Sequence, residues 1–232
     1  VLVQMKKCMV LSGQYRTFDT TKENIKKFVE ANELDVYCHL WSMDPKEIDS
    51  VKYSLSPKAI FCEDWEKYKE TFDDIESRAK SANPKLPNTD KIAANASMNF
   101  GRKRAFELIQ EKYDVLIYCR YDIAFQYVFQ FEKIDVVYTP LEQSYNLISD
   151  IFAIIPTEYA PYYFLYDDYE RLHSTQFEPE FEDWLRNVKQ YGDENIRIHK
   201  YERYCPHMML LRHLWINKVP VKMTDLNVSI KR

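Results

Sequence analysis

Three polar segments carry side chains that the packing of a core does not require. The first, Ser12-Gly13-Gln14-Tyr15-Arg16, follows the apolar run Cys8–Leu11. A glycine there lets backbone approach a ligand closely, the start of a following helix favours an anion, and Arg16 carries a charge suited to a diphosphate. The alternative is an ordinary strand-to-helix turn with an exposed arginine. The second, Arg120-Tyr121-Asp122, leaves another apolar run. Asp122 there is a candidate ligand for Mg²⁺ or Mn²⁺, which need only one or two protein carboxylates when substrate phosphates complete the shell. Arg120 either pairs with Asp122 or meets phosphate; a plain salt bridge at a strand end is the alternative. The third is Ser97-Met98-Asn99-Phe100-Gly101-Arg102-Lys103-Arg104. Three consecutive basic residues near an expected helix start oppose the macrodipole, a cost that an anion bound by Arg102 and Lys103 would offset. A solvated basic face explains the same run without a ligand.

Further candidates stand alone. Asp150, before an apolar run, is either a general base in a cleft or a turn cap. His207 opens an amphipathic segment and is either a metal or phosphate ligand or a structural histidine. His39 and Trp41 end an apolar run, where they would either meet a nucleobase or pack in the core.

These residues need elements to hold them. Lys7–Leu11 reads as a buried parallel strand. Thr20-x-x-Glu23 reads as a capping box for a helix with a stripe of Ile25, Phe28, Val29 and Leu34. Val36–Trp41 is a second strand, so the opening forty residues form a βαβ unit. Residues 56–62 read as a third strand and 64–80 as a helix followed by an exposed loop. A helix entered through Ser97 or Asn99 and ending near Tyr113 carries Phe100, Ala105, Leu108 and Ile109 on one face. It leads into a central strand at 114–119. Strands are expected at 136–138 and 150–155, helices at 157–172, 178–190 and 204–217, and an edge strand at 219–223, where Pro220 cannot donate to a ladder. In an open parallel sheet ligands bind beyond the carboxyl ends of the strands, which is where the first two polar segments fall.

Composition narrows the function. The 232 residues hold 32 Lys+Arg against 36 Asp+Glu, a net charge of -4, which argues against duplex nucleic acid as the partner. No apolar run reaches the roughly 18–20 residues of a membrane span, and no leader pattern opens the chain. The five cysteines show no CxxC spacing, so buried free thiols are expected rather than a disulfide framework or zinc site. With only 3 glycines, those at Gly13, Gly101 and Gly192 are expected where a side chain would not fit; 15% aromatic content suits a cleft that stacks a base or sugar ring.

In order, the segments MVLSGQYRTF, DVYCHLW, DVLIYCRYDIAF, SDIFAI and CPHMMLLRHL resemble those of small GT-A-type glycosyltransferases, such as those of large algal DNA viruses and of bacterial polysaccharide synthesis. The resemblance covers most of the chain except about 63–95 and 157–200. It implies one α/β domain over 1–232: a Rossmann-type nucleotide-sugar-binding half to about 125, with a mostly parallel sheet flanked by helices, and an α+β acceptor-binding half from about 126. It implies sugar transfer from a nucleotide-diphosphate sugar (a UDP-sugar favoured, GDP- or dTDP-sugar as variants) to a hydroxyl of a glycan or glycoprotein, with Mn²⁺ or Mg²⁺. Carried over, Ser12, Gly13 and Arg16 contact the nucleotide and Arg102 or Lys103 the diphosphate. Arg120-Tyr121-Asp122 stands at the DxD-type metal motif with an arginine in the first acidic place. His207 follows Pro206 where similar sequences often read Glu. Asp150 is the expected base if the transfer inverts, and the expected location is the cytoplasm, the host's if the chain is viral. The competing readings are a sugar-phosphate nucleotidyltransferase, which normally has more glycines and a lysine in its phosphate loop, and a catalytically silent nucleotide-sugar or carbohydrate-binding module.

Overall fold

The computed structural model describes residues 5–82, 84, 92–126, 128, 134–142, 147–166, 178–187, 206–224, 226 and 228–231. The first half is β1 (Lys7–Gly13), α1 (Phe18–Asn32), β2 (Asp35–Leu40), α2 (Pro45–Leu55), β3 (Ala59–Cys62), a 3-10 turn at Trp65–Tyr68, α3 (Lys69–Ala82), α4 (Ile92–Glu107), β4 (Val115–Cys119) and β5 (Ile123–Phe125). The second holds β6 (Val137–Glu142), β7 (Leu147–Ile148), β8 (Phe152–Pro156), a 3-10 turn at Thr157–Tyr159, α5 (Ala160–Phe164), α6 (Pro179–Asn187), α7 (Pro206–Ile216), β9 (Val221–Thr224) and β10 (Val228–Ile230).

The strand order of the main sheet is β3-β2-β1-β4-β8-β6-β7, with β9 added to β6. β3, β2, β1 and β4 run parallel, whereas β8 pairs antiparallel with β4. Apolar runs without alternation suit such doubly covered strands, and all of β4 is buried. The period-two alternation still sorts the core. Cys8 and Val10 face a layer with Phe72, Ala105, Phe164 and Leu211, while Met9 and Leu11 face Phe18, Ile25, Phe28 and Val51. Helices α3, α4, α5 and α7 therefore cover one face and α1 and α2 the other. The chain moves outward from β1 to β2 and β3, then returns to lay β4 on the other side of β1. That reversal is the switch point at which such sheets leave a crevice. Cys8, Cys38 and Cys119 are buried free thiols and Cys62 is a half-buried one; Cys205 and Gly192 lie outside the described residues.

Several boundaries differ from expectation for identifiable reasons. Thr20 is no capping box: α1 begins two residues earlier, and the Thr20 hydroxyl donates to the Thr17 carbonyl. The third strand starts at Ala59, because Ser56 adopts a left-handed conformation that ends α2. α4 starts at Ile92, not near Ser97, since the backbone N–H of Ala93 is capped by Glu76 of α3, distant in sequence. Arg102, Lys103 and Arg104 consequently occupy the last turns of α4, where the macrodipole favours cations, so the helix-start argument for a bound anion falls. The expected helix at 157–172 is a 3-10 turn and the short α5; residues 167–172 lie outside the described residues, as do 188–190 and 204–205. No helix among the described residues is long and apolar enough to cross a membrane.

Helix α4 approaches the sheet at Gly101. A Cβ there would meet His39 Nδ1 at 2.8 Å and Trp41 Nε1 at 3.3 Å. Gly→Ala in a helix interior ordinarily stabilises by up to about 1 kcal/mol, but His39 is fully buried and cannot give way. Overpacking, at about 1–3 kcal/mol, should decide the sign. Gly101→Ala is expected to lower the urea midpoint of unfolding; a raised midpoint would contradict the close approach.

Candidate functional site

β1 ends in Gly13 at φ +137°, a conformation that side chains rarely adopt. The nearest atom to an added Cβ is Tyr121 Cδ2 at 3.9 Å, so the backbone angle and not space requires glycine. The Gly13 carbonyl accepts from Trp41 N–H at 3.0 Å, joining the ends of β1 and β2. Beyond it Arg16 also has a positive φ, +40°, and its Nε donates to Gln14 Oε1 at 2.9 Å.

The turn leaving β4 is anchored from two directions. The Tyr121 carbonyl accepts from the Thr21 hydroxyl of α1 at 2.6 Å, and the Asp122 carbonyl accepts from Lys231 N–H at 2.8 Å. β10, just before Lys231, pairs antiparallel with β5, just after Asp122. Asn24 of α1 completes the anchorage, exchanging two hydrogen bonds with the backbone of Phe125. The Tyr121 ring packs edge-on against Phe18 at 5.4 Å. The side chains of Arg120 and Asp122 are thus presented by a fixed backbone.

These segments enclose a cleft of about 200 Å³. It is lined by Ser12, Gly13, Gln14 and Arg16 after β1, by Arg120 and Asp122 after β4, by Trp41 and Trp65, and by Ala94, Asn95, Ser97 and Met98 in the first half of α4. Arg120 closes a fork on Asp122: Nε donates to Oδ1 at 3.0 Å and Nη2 to Oδ2 at 2.5 Å. Arg16 Nη1 lies 3.8 Å from the same Oδ2. The Asp122 side chain is 5% exposed, Arg120 20% and Arg16 57%, so the outer arginine reaches solvent at the mouth. Burial works against the charge of Arg120, but Asp122 outweighs it and raises its pKa.

Five of the expected site residues therefore meet in one hollow: Ser12, Gly13, Arg16, Arg120 and Asp122. Trp41 lines it as well; His39, Arg102, Lys103, Asp150 and His207 do not. His39 is buried with its Nε2 on Glu63 Oε2 at 2.9 Å, beneath the cleft wall and out of reach of a nucleobase. Arg102 is also buried, with Nη2 on Asn99 Oδ1 and its guanidinium 4.8 Å from the Tyr163 ring, so it cannot touch a ligand in the cleft. Lys103 lines a different cavity, of about 350 Å³, with Phe72, Phe100 and Tyr166. Asp150 pairs with His207, Oδ1 to Nδ1 at 3.1 Å, and its backbone N–H lies 3.2 Å from that nitrogen. Burial pushes the Asp150 carboxyl up, but His207, Arg120 and Arg102 together hold it down at about 2. Ser97 and Met98, from the start of the third polar segment, line the cleft in place of its basic residues, whereas Trp65, Ala94 and Asn95 stand outside the segments that the sequence marks. A tryptophan inside a charged, poorly apolar stretch is the available signal for Trp65; Ala94 and Asn95 carry none.

The arrangement does not suit a resident divalent cation. Both oxygens of Asp122 accept from Arg120, Arg16 stands 3.8 Å away, and His207 is engaged with Asp150. What the cleft can do is receive an anion and a planar ring together, since its lining holds both guanidinium groups and tryptophans.

No protein-family model and no curated protein matches the chain. Among solved structures it is similar to the glycosyltransferase GlyE of Streptococcus pneumoniae TIGR4 in its apo form, at 10% identity and a TM-score of 0.43, over 94% of this chain and 45% of that one. It is also similar to mouse xyloside xylosyltransferase 1, apo form, at 10% identity and a TM-score of 0.40, over 96% of this chain and 86% of that one. This chain thus spans less than half the length of GlyE. At such identities and TM-scores the likeness carries no chemistry over to it.

The buried histidine gives a pH signature. Desolvation lowers the His39 pKa from 6.5 to about 4 against the pull of Glu63. Above pH 6.5 neither folded nor unfolded chain binds this proton; between 6.5 and 4 only the unfolded chain does, so stability falls with acidification across that window. Asp150, lowered from 3.8 to about 2, adds a loss below 3.8. Urea unfolding from pH 7 to pH 4 should show the decline, and His39→Gln should flatten it; an unchanged slope would overturn the assignment to His39.

Proposed function

We propose that this chain is a glycosyltransferase that moves a sugar from a nucleoside-diphosphate sugar to a hydroxyl of a glycan acceptor. One observation carries the reading. At the carboxyl ends of β1 and β4, Gly13 backbone and the side chains of Arg16 and Arg120 share a hollow with Trp41 and Trp65. The guanidinium groups suit a diphosphate and the tryptophans a base or sugar ring.

The chemistry follows from charge. When the bond from the anomeric carbon to the diphosphate oxygen breaks, negative charge grows on the leaving group. Arg120, already fixed there by Asp122, stabilises it without reorganising at the moment of reaction, and Arg16 adds charge from the mouth. The acceptor oxygen forms the new bond and gives up a proton. Asp150, buried against His207 and not part of the cleft lining, is out of reach of that proton, which passes to water at the cleft mouth.

A thermal-shift series with UDP-, GDP- and dTDP-sugars tests the reading, with UDP-sugars tried first. A true donor at a hundred times its Kd should stabilise the fold by about 2.7 kcal/mol, and release of free nucleoside diphosphate should follow. Gly13→Ala forces a side chain into a disfavoured backbone angle, a strain of about 1–3 kcal/mol, and is expected to reduce that release sharply. Pyrophosphate formed from a nucleoside triphosphate and a sugar phosphate, with no response to any nucleotide sugar, would replace this reading with a nucleotidyltransferase.

A further inference from the structure

We propose that the cleft grips its diphosphate with Arg16 and Arg120 in place of a divalent cation, and that Asp122 is a positioning residue for both guanidinium groups. The inference rests on the reading of the hollow as a nucleoside-diphosphate site and departs from the metal expected of its Arg120-Tyr121-Asp122 motif.

The charges in the lining are the first ground. Among the described residues Arg16, Arg120 and Asp122 are the charged ones in the lining, two cations against one anion, a positive surplus before any ligand enters. A divalent cation at Asp122 would sit beside two guanidinium groups and would have to break the two-point contact with Arg120. A diphosphate meets the opposite situation. Asp122 engages Nε and Nη2 of Arg120. A guanidinium carries five N–H groups, so it can hold a carboxylate along one edge and a phosphate along another.

The second ground is rigidity. The Asp122 carbonyl is held by Lys231 and the neighbouring Tyr121 carbonyl by Thr21. With its backbone fixed and its side chain 5% exposed, the carboxylate sets the plane of the Arg120 fork. Arg16 stands at the mouth, 3.8 Å from the carboxylate and 57% exposed, where it can leave Asp122 and close on an entering phosphate.

Isothermal titration of the full chain separates the possibilities. The probes are UDP, GDP and dTDP, each in EDTA and in MnCl₂, and inorganic pyrophosphate in EDTA. The expected result is that pyrophosphate and at least one nucleotide bind in EDTA, with Mn²⁺ changing the nucleotide Kd by no more than about twofold. Arg16→Met, at an exposed position that folding does not need, should weaken both by about tenfold or more, in keeping with the loss of a charge-assisted contact. Asp122→Asn should change the nucleotide Kd by the same factor with and without Mn²⁺, a readout that general loss of structure would not produce once circular dichroism confirms folding. If Mn²⁺ tightens nucleotide binding tenfold or more and Asp122→Asn erases that gain, the arginine clamp is overturned while the glycosyltransferase reading stands. Pyrophosphate binding in EDTA with no nucleotide bound more tightly upholds the clamp and overturns the reading. Absence of binding by every probe overturns both.

Discussion

β1 lies between two parallel partners, β2 and β4, and ends in a residue whose backbone angle excludes ordinary side chains. The double pairing leaves it no freedom to shift, since moving it by one residue would exchange its two core faces. Cys8 and Val10 would then face α1, and Met9 and Leu11 would face α4. The positions of Gly13 and of the Arg120–Asp122 turn therefore follow from packing further back along the strand, out to roughly 16 Å from Gly13 at Cys8 at about 3.3 Å per residue.

The cleft is built from segments that obey different constraints. The glycine turn is conformational, the Arg120–Asp122 turn is held by hydrogen bonds from α1 and β10, and the aromatic wall is part of the core. Trp41 packs edge-on to Trp65 at 5.6 Å and stacks on Phe100 at 5.7 Å. That wall is stiff because its tryptophans serve the interior of the protein as well as the hollow. The charged side is less so, with an inner arginine fixed by its carboxylate and an outer one at the surface.

Much of this was legible in the sequence where local rules suffice. The apolar runs at 8–11 and 115–119 have no polar interruption and that at 36–40 has only His39, and all three became parallel strands. The polar residues that follow the first and last of them did converge. Legibility failed where a distant residue sets the local outcome. The start of α4 is fixed by Glu76, which no window around Ala93 contains, and the error moved Arg102–Arg104 from the end of a helix to its beginning. Arg102 reads as a solvent or ligand contact by type, yet the rings of Tyr118 and Tyr163 and the amide of Asn99 keep it inside. Likewise His39 ends a strand beside the cleft, but its partner Glu63 lies on the inner side.

The ribbon of β5 and β10 joins parts of the chain that are far apart in sequence. Closing such long loops is entropically slow, and contacts of this range tend to form after local ones. The βαβ unit that supplies Gly13 can assemble early. The turn that carries Asp122 is secured only when a much later stretch of polypeptide has emerged and docked, so maturation of the hollow is tied to completion of the fold.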